Sequence, residues 1–417
     1  MHSQDKDLFF ETAWEIGLEL VRDAIWDQRE RCNWTGNWFD MSEGTFRTVT
    51  RSFGADLYSG TSGILYFLCR LYERRRDPFL ARTITGSANQ VRSMAAQLPD
   101  HGFYSGKPGA ACVLAAAGHI MEREDWTEEA HTLLGNLKQE GFATHETDII
   151  SGIAGTIPAL KLFYGLHNDD HSAGTIYRLA TALCDMALKE DKGWSWATVG
   201  SKKNLTGLSH GAAGIACALL DAYRVCGETR FLEAAREAIR YEEYYYDPRV
   251  KNWPDLRETG AQNGYHYGVA WCHGAPGIAL SRMYAYEAWP DEPLLPQIEA
   301  ALDTTYRQTL QMSADTQNLP NFSLCHGICG NADVLLSARN PEYTRLAAGI
   351  GLLGIQRYHK PQLPWPGGIS GNLPTTGMMM GLAGTGYYYL RLADPDFYGS
   401  VLLPGNFSLQ VPVQQRH

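Results

Sequence analysis

Two kinds of apolar run alternate along the chain. One kind, such as Ile64-Leu-Tyr-Phe-Leu-Cys-Arg-Leu-Tyr72 or Ile215-Ala-Cys-Ala-Leu-Leu-Asp-Ala-Tyr223, is apolar nearly all round, as expected of a helix buried on several sides. The other kind is longer and keeps a polar face at helical period, over residues 84–98, 127–139, 175–189, 230–244, 294–312 and 343–359. A further amphipathic helix is predicted at the N-terminus, over about residues 7–31. Strand signals are few and no separate β domain is visible, so the chain reads as all-α.

Each apolar run is opened by Gly-x-x-Gly, seven times in all, with first glycines at Gly60, Gly106, Gly152, Gly211, Gly274, Gly327 and Gly381. The steps between them run from 46 to 63 residues, and self-similarity at such a period marks stacked supersecondary units. Stop and turn signals at Gly227, Pro290, Pro341 and Pro395 separate many of the units. A buried helix alternating with an amphipathic one, seven times, closes most simply as an α/α toroid: two concentric barrels of about seven helices each, with residues 1–417 as a single domain. Glycine at the helix starts lets neighbouring ends approach closely and would gather the N-termini at one end. The main irregularity is a loop insertion over about residues 245–271, with Asp247-Pro, Trp253-Pro-Asp-Leu-Arg257 and Gly260-Ala-Gln-Asn-Gly264. A loop of that length is usually functional or mobile, and here it would line the mouth of a site.

Composition narrows the function. A net charge of -10 argues against nucleic acid, no apolar run is long enough to span a membrane, and the polar start Met1-His-Ser-Gln-Asp5 does not read as a signal peptide. Nine cysteines, an odd number scattered through helical patterns, fit reduced thiols and a cytoplasmic location better than a disulfide framework. Cys69, Cys112 and Cys217 fall inside apolar runs and read as core.

Cys272 and Cys325 differ because they stand at helix entrances. Ala270-Trp-Cys-His-Gly-Ala-Pro-Gly277 and Ser323-Leu-Cys-His-Gly-Ile-Cys-Gly330 each place a Cys-His pair before Gly-x-x-Gly. Thiolate and imidazole suit zinc, and a helix N-terminus favours a thiolate. If Cys272, His273, Cys325 and His326 all bound, the site would be a closed structural centre. Three ligands would leave an open, catalytic position. The bland alternative is that these side chains only cap and pack helices. With two thiolates and one imidazole, bound water is weakly acidified. An incoming substrate thiol is deprotonated and stays nucleophilic, which favours thiol addition over hydrolysis.

The two Cys-His-Gly motifs, His210-Gly-Ala-Ala-Gly214 and the sevenfold Gly-x-x-Gly pattern resemble the LanC-like lanthionine cyclases, from about residue 10 to about 404. Met380-Gly-Leu-Ala-Gly-Thr-Gly-Tyr387 followed by Leu390-Arg-Leu-Ala-Asp-Pro395 is similar to the cyclase domains of class II lanthipeptide synthetases, so a cyclase alone is expected, whether by nature or by excision from a larger synthetase. The resemblance implies an α/α toroid with one zinc ion on Cys272, Cys325 and His326, the substrate thiolate as fourth ligand and His273 a neighbour. It implies addition of peptide Cys thiols to dehydroalanine or dehydrobutyrine in a dehydrated precursor peptide, supplied by a dehydratase domain or protein. His210 would move the proton, and Asp148, at an acidic position of the family, would orient His210 or a water. As acid before a helix, Asp148 also has a plain dipole role. Some stand-alone members carry an Arg where this chain has Gly268, leaving Arg257, His266 and Tyr267 as substitutes. Two other functions remain expected alternatives: addition of glutathione or another thiol to dehydroamino acids, and a zinc-stabilised peptide-binding scaffold without chemistry.

Overall fold

The computed structural model describes residues 3–42, 45–167, 170–199, 203–257, 264–291, 293–315 and 320–409. Residues 258–263 of the loop insertion, with the start of its Gly-Ala-Gln-Asn-Gly run, and residues 410–417 lie outside the described residues.

Each of the seven apolar runs is a helix that begins at its Gly-x-x-Gly motif: α2 (Thr61–Arg74), α4 (Lys107–Ile120), α6 (Ile153–His167), α8 (Ala212–Cys226), α10 (Ala275–Ala288), α12 (Ile328–Ser337) and α14 (Leu382–Ala393). In chain order each packs on the next, and α14 packs back on α2. The seven therefore form a closed inner ring. Six amphipathic helices follow their inner partners and cover them: α3 (Pro78–Met94), α5 (Glu124–Gly135), α7 (Asp170–Met186), α9 (Thr229–Tyr245), α11 (Leu294–Ala314) and α13 (Pro341–Gly354). The seventh outer helix comes from the other end of the chain. α1 (Ser3–Arg22) lays Phe9, Ala13, Ile16 and Leu20, one helical stripe, on α14. The fold is an all-α toroid of two concentric layers.

The second glycine of each motif is forced by close approach. A methyl at Gly109 would overlap the carbonyl oxygen of Phe103, and one at Gly384 that of Met378. In each case the first obstacle is the loop entering the same helix, six residues back; the neighbouring entry loops that the pattern suggested also press close, as Phe103 does on Gly155 and Met378 on Gly63.

Two expectations about helix length need correction. The N-terminal helix stops at Arg22 instead of running to about residue 31. Asp27 accepts from the backbone N–H groups of Arg29 and Arg31, and Glu30 adopts φ 54°, closing a turn between β1 (Ile25–Trp26) and β2 (Cys32–Asn33). A second hairpin, β3 (Thr35–Ser42) with β4 (Thr45–Ser52), follows in antiparallel register. The 175–189 run leaves the helix at Met186, because β5 (Leu188–Glu190) folds back on β6 (Gly193–Ser195) through Gly193 at φ 109°.

The segment after α14 fills the barrel axis. Its backbone carbonyls accept from Arg70 on α2 (Phe397), Tyr387 on α14 (Gly399), Tyr104 (Val401) and the Trp271 indole (Leu402), while Ser400 bonds Asp333 on α12. Phe407 stacks on Tyr66 with ring centroids 4.0 Å apart. Contacts to so many inner helices place this segment at the centre.

Candidate metal centre and active site

The loops entering the inner helices are tied to one another by backbone hydrogen bonds. Tyr58 N–H donates to Tyr104 O, Phe103 N–H to Ile149 O, Ser209 N–H to Cys272 O, Cys272 N–H to Cys325 O, Cys325 N–H to Met379 O, and Met379 N–H to Tyr58 O. This circle gathers the helix N-termini at one end of the barrel, over a cavity of about 760 Å³. It also explains why two cysteines far apart in sequence meet: the motif position two residues before the first glycine is the one that is tied across. Tyr58, Ile150, Ser209, Cys272 and Cys325 all occupy that position, and all line the cavity.

The donor atoms of Cys272, Cys325 and His326 lie within 4.8 Å of one another. Ligands around one tetrahedral zinc stand roughly 3.5 Å apart, so a small contraction completes the site. The surrounding groups fit such an ion. His326 Nε2 is 2.9 Å from the carbonyl oxygen of Gly368, which can only accept, so Nε2 carries the proton and Nδ1 offers its lone pair. Glycine at 368 eases that approach, since a Cβ there would sit 2.8 Å from Ser323 Oγ and 3.0 Å from the imidazole. The Cys325 sulfur is buried and receives the Tyr58 hydroxyl at 2.9 Å. A hydrogen bond from the Cys325 thiol holds the Cys272 thiol below its ordinary pKa, while that shared bond and burial push Cys325 well up. A cation that took up both sulfurs would replace the shared proton.

His273 is placed differently. It is 7% exposed, and burial together with the charge of Arg257 pushes its pKa down to about 4, so it is a neutral neighbour. The ligand group comprises Cys272, Cys325 and His326 without it.

His210 opens α8 on the adjoining wall, next to Ser209, whose hydroxyl bonds the Cys272 carbonyl at 3.1 Å. Its Nδ1 is 2.7 Å from Asp148 Oδ2, and Asp148 is fully buried. The other carboxylate oxygen accepts from Ser151 N–H at 2.7 Å and Ser151 Oγ at 3.2 Å. Asp148 therefore both holds the loop that enters α6 and orients His210, which leaves Nε2 for the cavity.

The loop insertion supplies a third wall. Asp255, Arg257, His266 and Gly268 line the cavity. Burial opposes ionisation of Asp255, but hydrogen bonds from Arg257 outweigh it and its carboxyl stands at about 2. Arg257 is paired to it at 2.5 Å. Tyr267, by contrast, gives its hydroxyl to Asp247 at 2.8 Å and is not part of the wall. Sequence reasoning missed Tyr58, although an alignment of the seven repeats on their first glycines puts it in the same column as Cys272 and Cys325.

The sequence model of the family described as "Lanthionine synthetase C-like protein" matches residues 51–403. The chain is 24% identical over 352 residues to the nisin biosynthesis protein NisC of Lactococcus lactis subsp. lactis, covering 75% of this chain and 77% of that protein. It is 22% identical over 384 residues to the lacticin 481/lactococcin biosynthesis protein LcnDR2 of the same organism, where 89% of this chain spans 39% of that protein. Over 299 residues it is 21% identical to the glutathione S-transferase LANCL1 of Danio rerio, covering 66% of this chain and 67% of that protein. The solved structure of nisin cyclase superposes with a TM-score of 0.63 at 18% identity, over 83% of this chain and 90% of that one, which shows the same fold. With the family pattern running through the seven repeats and both Cys-His-Gly motifs, the chain belongs to the lanthionine synthetase C-like family.

Proposed function

We propose that the protein is a zinc-dependent cyclase that adds peptide cysteine thiols to dehydroalanine or dehydrobutyrine within a dehydrated precursor peptide, closing lanthionine thioether rings. The observation that carries this reading is one cavity lined both by the Cys272–Cys325–His326 donor set and by His210, which the buried Asp148 holds from behind. Zinc on those three ligands would keep a substrate thiol deprotonated while leaving its sulfur nucleophilic.

The chain's own groups account for the rest. His210 Nε2 takes the thiol proton and returns one to the α-carbon after the sulfur–carbon bond forms, so the product has the mass of the reactant. Asp148 fixes the tautomer this requires and stabilises the imidazolium between the two transfers. The α,β-unsaturated carbonyl gains negative charge as sulfur attacks, and Arg257, steadied by Asp255, is the cation assigned to it here in place of the arginine absent at Gly268, Arg51 being the other arginine of the cavity wall. About 760 Å³ accommodates a short peptide segment.

Residues 1–417 act as one cyclase domain in this reading, and a dehydratase supplies the substrate. All nine cysteines are free, which suits a reducing cytoplasm. No helix among the described residues is long and apolar enough to cross a membrane. A second reading, addition of glutathione to a dehydroamino acid, is favoured by the name of the LANCL1 relative and uses the same site.

The test is incubation of the zinc-loaded protein with a dehydrated peptide that retains its cysteines. Thiol loss at constant mass is the expected result. A mass gain only when glutathione is present selects the second reading, and unchanged thiols and mass leave the scaffold.

A further inference from the structure

The sulfur of Cys325 has a partner that neither the Cys-His-Gly motif nor the addition chemistry calls for. Tyr58 Oη lies 2.9 Å from Cys325 Sγ, and Met380 Sδ, its other sulfur neighbour, is at 3.5 Å. The phenol is held firmly. Tyr58 gives its backbone N–H to Tyr104, accepts that of Met379, and meets the Tyr104 ring edge-on at 6.5 Å.

We propose that Tyr58 is a positioning residue that hydrogen-bonds the Cys325 sulfur and makes it a poorer nucleophile than the peptide thiol brought into the same cavity. This rests on the zinc-cyclase reading above. An electron-poor alkene that enters the cavity meets the protein's own sulfur as well as the substrate's. Attack by Cys325 would form an Sγ–Cβ bond, move the alkene pair to Cα and, after Cα takes a proton, leave an enzyme–peptide thioether with a metal ligand consumed. An O–H donor withdraws charge from a thiolate and lowers its nucleophilicity without removing it as a ligand. The repeat makes this possible. Tyr58 occupies in the first unit the place that Cys325 holds in the sixth, and the long phenol spans the seventh unit, where Met379 stands, to reach it.

The experiment uses the full chain loaded with Co²⁺, whose sulfur-to-metal charge-transfer band reports the charge on the thiolates. Wild type must first show a band that Cys325→Ala diminishes; without it the zinc reading fails, independently of Tyr58. Given the band, Tyr58→Phe moves it to longer wavelength and Met380→Leu leaves it in place. Should Tyr58→Phe not fold, 3-fluorotyrosine at position 58, a stronger donor, moves it to shorter wavelength. In the zinc-loaded protein, a dehydroalanine peptide without cysteine then modifies Cys325 about tenfold faster in Tyr58→Phe than in wild type, as expected for loss of one hydrogen bond to a charged acceptor. With 3-fluorotyrosine the modification slows instead. An unshifted band, or equal modification of Cys325 in wild type and variant, overturns the proposal.

Discussion

Asp148 Oδ2 stands 2.7 Å from His210 Nδ1, joining the third repeat to the fourth. At the other junctions backbone hydrogen bonds link the loops. Here, among the described residues, a side-chain pair makes the link. Asp148→Asn keeps the shape but removes the anion that sets the imidazole tautomer. Its kcat is expected to fall by about 10²–10⁴-fold, as for loss of a positioned acid–base group, with zinc content unchanged by metal analysis. Ser151→Ala, which removes only the weaker of the two Ser151 hydrogen bonds, should cost less than about tenfold.

Removing a ligand should couple metal and activity. Cys325→Ala and Cys272→Ala are expected to lose zinc and thiol addition together, and a chelator should do the same reversibly to wild type. At a hundredfold excess of zinc over its Kd the metal stabilises the folded state by about 2.7 kcal/mol, so chelation lowers Tm. Full zinc retention with unchanged addition in Cys325→Ala would refute the ligand assignment.

Arg257 and Asp255 separate charge from position. Arg257→Ala is expected to lower kcat by about 10–10²-fold, in the range for losing an electrostatic stabiliser at a half-open site. Arg257→Lys should recover part of it, and Asp255→Asn should fall between. Equal rates in Arg257→Ala and wild type would remove the arginine from the reaction.

His101 provides a pH test away from the metal. Its Nδ1 is 3.0 Å from Thr156 Oγ1, and burial holds its pKa below the ordinary 6.5. The folded state therefore favours the neutral ring. That contribution is fully present above pH 6.5 and is lost as pH falls below it, because the unfolded chain binds the proton first. Wild-type Tm should drop more steeply between pH 6.5 and 5 than that of His101→Asn.

The glycines can be sorted by what a methyl would meet. Gly384→Ala drives Cβ into the Met378 carbonyl, and a loss of about 3 kcal/mol or more is expected. Gly349 lies within α13 with nothing inside 4 Å, so Gly349→Ala should stabilise by about 0.5–1 kcal/mol. Denaturant midpoints of the two variants check both.

The sevenfold repeat, the choice of buried and covering helices, and the special standing of Cys272 and Cys325 were legible because each is a local matter. Helical period, glycine at a helix start and a thiol outside an apolar run depend on a few consecutive residues. Other features depend on groups distant in the chain. That α1 covers α14, that the segment after α14 fills the axis, and that Trp271 is anchored by Leu402 carry no local pattern. The turn at Asp27 ended the first helix against its apolar period because a carboxylate found two backbone donors. The reach of Tyr58 to Cys325, and Arg257 rather than Tyr267 in the cavity wall, were decided only when the ring closed. Closing it fixes which loop is tied to which, and that sets the distances on which ligation and proton transfer depend.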